Sequence, residues 1–319
     1  RQQQRPRPPP CHPPAMTPPP IRSAALIGLG AIGTLYAAQL SRRDPSCLRI
    51  IADPARIDRY KADPPTFNGT RLDLNYVTPA APGGPADLVL VAVKSTSLSN
   101  VLPSIAPFLS VTTQILPLLN GISAQDTLAA AFGWPRVLHG FVYCSSSMRT
   151  GNAVIQSGVN KIVFGEASNS NPSPRVQAVG RFFERLGIAH DIPADMRAAQ
   201  WKKFILNIGI NQAQALLRAP CRELQQNPDS MQLARNLMNE AAAIATALGI
   251  PNADQLPAWA ESVILAADPE NKTSMLQDIE AGRPPETDLF AATICRLGKE
   301  LSIPTPANEI ALQRLSSTR

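Results

Sequence analysis

Ala24-Ala25-Leu26-Ile27-Gly28-Leu29-Gly30-Ala31-Ile32-Gly33 is an apolar run that ends in G-x-G-x-x-G and continues into Thr34-Leu35-Tyr36-Ala37-Ala38-Gln39-Leu40. That order predicts a strand, a tight turn and a helix. Each glycine has its own physical task. Gly28 permits the turn, Gly30 lets backbone approach a pyrophosphate, Gly33 lets helix and strand pack closely, and the first N–H groups of the helix face the phosphates. Leu48-Arg49-Ile50-Ile51-Ala52-Asp53 supplies a second strand ending in an acid, twenty residues past Gly33. The spacing predicts a dinucleotide site at Gly28, Leu29, Gly30, Ala31, Ile32 and Gly33.

Further along, the runs Asp87–Val93 and Gln114–Leu119 are almost wholly apolar, as parallel strands buried on both faces are, and helical stretches separate them. Ligands bind outside the carboxyl ends of such strands, where Lys94 and Asn120-Gly121 stand. Asn68-Gly69, between apolar and β-prone residues, predicts a hairpin. From Asp195 onward the periodicity is helical almost throughout. The fold class expected is therefore α/β, an N-terminal Rossmann-type doubly wound sheet followed by an all-helical C-terminal domain. Residues 21–193 form the first domain and 194–319 the second. Residues 1–20 hold nine prolines without hydrophobic periodicity and are expected to be a disordered tail.

Composition narrows the function. The 319 residues are 44% hydrophobic with no run long enough for a membrane helix, so a cytoplasmic protein is expected, with no membrane partner. Five dispersed cysteines without a C-x-x-C pair indicate neither a disulfide framework nor a metal site, and fit a reducing compartment. Six arginines precede the first acid, Asp44, so the +6 net charge sits largely in and beside the tail. It comes without interleaved aromatics, which argues against a nucleic-acid partner. With only His12, His139 and His190, histidine acid–base chemistry has little material. Val91-Ala92-Val93-Lys94 echoes a kinase strand, but no H-R-D or D-F-G follows.

The informative helix is expected from about Ala194 to Arg218. Lys203, Asn207 and Asn211 recur every fourth residue, and Gln200, Gln214 and Arg218 fall on the same arc. Asparagine is a poor helix former, and Phe204 and Ile210 border the row, so it reads as the lining of a cleft. Such a row suits hydride transfer to a ketone. An ammonium near the carbonyl oxygen stabilises the developing charge and donates the proton, which makes Lys203 the candidate acid. A second cluster, Asn271-Lys272-Thr273-Ser274-Met275-Leu276-Gln277-Asp278 followed by Gly282-Arg283-Pro284-Pro285-Glu286, offers Ser274 for a carboxylate and Glu286 for a hydroxyl or the lysine. By residue chemistry alone, a helix cap for Ser274 and a first-turn acid for Glu286 are the favoured accounts. Asp53 favours a free ribose 2′-hydroxyl or caps the next helix, and Arg56 stands ready for a 2′-phosphate.

G-L-G-A-I-G, V-K after one buried strand, N-G after the next, W-K-K-x-x-x-N-x-x-x-N and T-S-M-L-Q-D-I-E-A-G-R with a following acid together resemble the ketopantoate reductase family. The resemblance implies NADP(H)-dependent reduction of 2-dehydropantoate to (R)-pantoate, on the route to pantothenate and coenzyme A. It implies cofactor contacts at the glycine fingerprint, Lys94 and Asn120, with Lys203 as general acid. Asn207, Asn211, Asn271 and Ser274 would hold the substrate, and Glu286 would contact its hydroxyl and aid catalysis. Asp53 keeps NAD(H) open as the cofactor. Gln212 and Gln214 stand where relatives carry Pro-Leu-Thr, and Pro284-Pro285 where they carry a basic residue and threonine. These departures are expected to alter the cleft and to shift Glu286. They motivate another small 2-oxo acid as the alternative substrate, and a non-catalytic dinucleotide-binding regulator is the alternative class. A homodimer is open, since Leu233, Leu237, Ala241, Ile244 and Leu248 make an apolar helix row that serves either an interface or a core.

Overall fold

The computed structural model describes residues 20–317, so the proline-rich tail, apart from Pro20, lies outside the described residues. Strands β1 (Ala24–Ile27), β2 (Leu48–Ile51), β3 (Thr66–Phe67), β4 (Thr70–Arg71), β5 (Tyr76–Val77), β6 (Leu88–Val91) and β7 (Gln114–Pro117) come first in the chain. Five of them make a parallel sheet in the order β5-β2-β1-β6-β7. Ile27 pairs with Ile51 on one side and Val91 on the other, so these strands end level. Gly28, Asp53 and Lys94 consequently emerge along one edge of the sheet. Asn120 follows β7 on the same edge, since Val91 pairs with Pro117.

The apolar strands are continuous because both faces are covered. Leu26, Leu88 and Leu90 enter one core, closed by α1 (Ala31–Arg43) and α5 (Pro174–Leu186). Ile27, Val89 and Val91 enter the opposite core, closed by α3 (Leu98–Ile105) and α4 (Ala124–Phe132). Between β2 and β3 runs α2 (Pro54–Ala62). Asn68 and Gly69 have φ of 47° and 77°, the left-handed pair that a tight hairpin between β3 and β4 requires.

That hairpin belongs to a second sheet. Strands β8 (His139–Thr150) and β9 (Ala153–Gly165) form a long antiparallel pair, and the two ends of β9 also pair with β3 and with β10 (His190–Asp191). Val142, Ile162 and Phe164 of this sheet join the core beneath α1.

The remainder is helical: α6 (Met196–Leu217), α7 (Cys221–Gln226), α8 (Pro228–Ala247), α9 (Leu256–Ala266), α10 (Ser274–Glu280), α11 (Thr293–Leu301) and α12 (Pro306–Ser316). Asp195 caps α6 by accepting from Ala198 N at 2.8 Å, and Arg218 ends it in the left-handed region at φ 51°. Arg218 therefore turns out of the row that contains Lys203. Helix α6 crosses α8 at Gly209, where a Cβ would meet the Met238 side chain at 2.6 Å. Leu237, Ala241 and Ile244 are fully buried in this core, with Leu233 and Leu248 packed against it. The apolar row of α8 is thus spent on its own domain. Among the described residues no helix is long and apolar enough to cross a membrane.

Candidate active site

The glycine turn separates two physical demands. Gly28 adopts φ +97°, and a Cβ there would lie 2.6 Å from Ala92 O. A Cβ on Gly33 would lie 1.8 Å from Gly28 O. Both are glycines because the chain itself occupies the space. Gly30 differs, for a Cβ there would find nothing nearer than Ala92 O at 4.0 Å. The room at Gly30, beside the first-turn N–H groups of Ala31, Ile32 and Gly33 that helix geometry leaves without intrahelical acceptors, fits a pyrophosphate. At the end of β2, Asp53 caps α2 by accepting from Arg56 N at 2.8 Å, and its other oxygen pairs with Arg56 Nε at 3.5 Å. Both side chains are exposed, so the pair is available to an adenosine ribose.

Across the cleft, α6 aims Lys203 at the carboxyl edge of the sheet. Its Nζ donates to Asn120 Oδ1 at 2.8 Å and to Val142 O at 2.6 Å. An ammonium has three donors, so among the described residues one is left over. The rings of Phe141 and Tyr143, alternate residues of β8, lie 5.3 and 5.9 Å from Nζ. Desolvation in this enclosure pushes the lysine pKa down to about 8, while the charges of Cys144 and Glu286 act in the opposite direction. Lower on the helix, Gln200 donates to Gln125 Oε1 at 3.2 Å and stands 3.1 Å from His139 Nδ1. Asn207 is half-buried and Asn211 buried, on the same face as Lys203.

The second cluster closes the cleft from the other side. Glu286 Oε1 accepts from both the amide and the hydroxyl of Ser95, at 3.2 and 3.0 Å. The two prolines before it therefore leave it facing the β6 edge. Lys94 Nζ reaches across to Asp278 Oδ2 at 2.8 Å, and Arg283 Nε holds the other oxygen of that buried carboxylate at 2.8 Å. Gln277 donates to Ser147 O at 3.2 Å, tying α10 to β8. Asn271 is half-buried, whereas Ser274, the first residue of α10, is exposed.

The two glutamines that depart from the family pattern do not line open cleft. Both are wholly buried. Gln212 donates to Ile208 O and to Asn308 Oδ1, toward α12, and Gln214 engages the backbone of Asn271 and Thr273. The expectation that both reshape the cleft wall is corrected accordingly. Sequence reading also passed over Ser95 and Asp278. Asp278 lies inside the quoted T-S-M-L-Q-D motif, but its partner is almost two hundred residues away, and no local spacing signals that.

Among the described residues no cluster of His, Cys, Asp and Glu could hold a metal ion. Known proteins resemble this chain in sequence and fold. The family described as ketopantoate reductase PanE/ApbA matches residues 24–169, and its C-terminal counterpart matches residues 195–318. A 2-dehydropantoate 2-reductase of Mesorhizobium japonicum is 29% identical over 318 residues, covering 90% of this chain and 94% of that protein. The solved 2-dehydropantoate 2-reductase of Geobacter metallireducens superposes with a TM-score of 0.79 at 27% identity, covering 93% of this chain and all of that one (100%). A D-mandelate dehydrogenase with NADH and anilino(oxo)acetate shares the fold, at TM-score 0.82 and 20% identity over 93% of this chain and 98% of its own.

Proposed function

Because the chain belongs to the ketopantoate reductase family, NAD(P)-dependent oxidoreductases acting on 2-oxo and 2-hydroxy acids, we propose that it reduces 2-dehydropantoate to (R)-pantoate with NADPH, with Lys203 as general acid. The observation that carries the reading is the Lys203 ammonium, desolvated to a pKa of about 8, anchored by Asn120 and Val142 O, with one donor left for a substrate oxygen. We assign the reaction to the cytoplasm, on the dispersed cysteines of a reducing compartment.

Gly28 to Gly33, Lys94 and the Asp53–Arg56 pair would hold the dinucleotide, and Asn120 would meet its nicotinamide half. When bound, the reduced nicotinamide supplies a hydride to the ketone carbon. Lys203 stabilises the negative charge that develops on the carbonyl oxygen and then donates its proton there, leaving a neutral amine. Asn207, Asn211, Asn271 and Ser274 orient the substrate carboxylate and hydroxyl. Glu286 meets that hydroxyl and its charge keeps Lys203 protonated. Removing this charge lowers the lysine pKa further. Glu286→Gln is therefore expected to move the alkaline limb of kcat/KM to lower pH, as well as weakening substrate binding. A limb that stays in place would exclude Glu286 as the lysine's electrostatic partner.

The direct test follows loss of reduced-nicotinamide absorbance with 2-dehydropantoate, run with NADPH and NADH in parallel and against a panel of other small 2-oxo acids. Turnover of another acid in preference, or of none despite cofactor binding, would sink the substrate assignment. The NADPH preference rests on Arg56. Arg56→Ala is expected to raise KM for NADPH roughly tenfold while leaving NADH unaffected, since only the 2′-phosphate loses a partner. Equal changes for both cofactors would remove the phosphate role.

A further inference from the structure

We propose that Gln214 is a positioning residue that sets the substrate-carrying segment 271–274 relative to the general acid. This rests on the reading above, in which Asn271 and Ser274 hold the 2-oxo acid and Lys203 protonates it. Gln214 shares the α6 row with Lys203, Asn207 and Asn211, yet it is 0% exposed and faces protein instead of cleft. Both ends of its amide are engaged. Nε2 donates to Asn271 O at 3.1 Å, and Oε1 accepts from Thr273 N at 2.8 Å. A side chain that bonds two backbone groups two residues apart acts as a neighbouring strand would, fixing the direction of the segment as well as its distance.

The rest of the segment's anchorage leaves this task to Gln214. Arg222 N donates to Pro269 O at 2.7 Å and Cys221 N to Asn271 O at 3.0 Å, so α7 holds the segment up to Asn271. Beyond it, Gln277 Nε2 bonds Lys272 O at 2.9 Å and Ser147 O at 3.2 Å. Past the tie at Lys272, the Thr273 amide, immediately before Ser274, donates to Gln214. Helix α6 thereby carries the acid directly and, through the Gln214 amide, fixes the last part of the segment that would carry the substrate. Without Gln214 the half-buried Thr273 N–H loses its acceptor, and the segment is free to shift toward another.

Gln214→Met keeps length and volume but removes both bonds. It is expected to raise KM for the 2-oxo acid that wild type reduces fastest by roughly tenfold, with kcat within about threefold and with KM for NADPH and the alkaline limb of the pH profile unchanged. Gln214→Glu rebuilds the bridge while its buried carboxyl is protonated and loses it on ionisation. Its KM should start near wild type at low pH and climb as pH rises, a dependence that wild type lacks. An unchanged KM in Gln214→Met overturns the proposal. So does a parallel loss of substrate binding, cofactor binding and thermal stability, which marks a merely structural amide. Amide hydrogen exchange separates this from failure of the substrate assignment. If wild type reduces no 2-oxo acid, faster exchange confined to 271–275 in Gln214→Met still upholds the positioning role, and unchanged exchange overturns it.

Discussion

Lys203→Ala is expected to lower kcat by about 10²–10⁴-fold, the range that a positioned general acid contributes, with a far smaller change in NADPH affinity. The lysine touches Asn120 and Val142 O and none of the glycine turn, so its loss removes the proton donor and one partner of Asn120 while the phosphate cradle keeps its contacts. A fall in kcat smaller than about threefold would mean that another group protonates the product. The wild-type pH profile tests the same role. Lys203 acts in its protonated form, so kcat/KM should be level below its pKa of about 8 and fall tenfold per unit above it.

Stability should move the other way in that window. Between about 8 and the ordinary lysine value of 10.5, the unfolded chain keeps the proton that the folded chain has released. The unfolded state binds more protons there, so this lysine's contribution to stability improves as pH rises. Subtracting the denaturation profile of Lys203→Met isolates it from other titrating groups. Opposite slopes of activity and stability over one pH range would be hard to obtain from any surface group. A flat difference profile would show that burial does not depress the lysine.

The glycine turn should yield the second large effect. Gly33→Ala inserts a Cβ 1.8 Å from Gly28 O, and backbone on both sides cannot retreat without parting α1 from β1. Its cost is expected at or beyond the upper end of the about 1–3 kcal/mol typical of overpacking, read as a lower denaturant midpoint. The Cβ of Gly30→Ala has Ala92 O at 4.0 Å as its nearest contact, ordinary van der Waals range, and the variant should fold with near wild-type stability. The added methyl instead occupies the space assigned to the pyrophosphate. NADPH affinity should fall roughly tenfold or more, an effect of about 1.4 kcal/mol. Equal affinity in Gly30→Ala and wild type would place the phosphates elsewhere. Destabilised Gly30→Ala would show instead that Gly30, like Gly28 and Gly33, serves internal packing.

Much of this protein was legible without coordinates, because the decisive signals are local. Gly28, Gly30 and Gly33 encode a turn recognisable from their own spacing, although it is Ala92 O at the end of the neighbouring strand that denies Gly28 a side chain. The unbroken apolar runs of β6 and β7 encode strands covered on both faces. The row of Lys203, Asn207 and Asn211 encodes one face of a helix, because helical periodicity is a property of the backbone itself. Asn68-Gly69 likewise encodes its turn, although which sheet that hairpin would join was not readable.

Tertiary structure alone decided what each face meets. Periodicity assigns Gln214 to the same row as Lys203, but only the packing of the 269–273 segment over the end of α6 turns it from a cleft-lining residue into a bracket for Asn271 and Thr273. Gln212 goes to α12, and Lys94 finds Asp278. The α8 row serves a core and not an exposed seam, and β9 recruits β3 and β10 at its two ends. The Lys203 pKa belongs to the same class, since it follows from the burial that β8 and α6 create together. Local sequence determines backbone conformation through short-range sterics and hydrogen bonding, whereas desolvation and pairing depend on groups that chain topology brings together from distant positions.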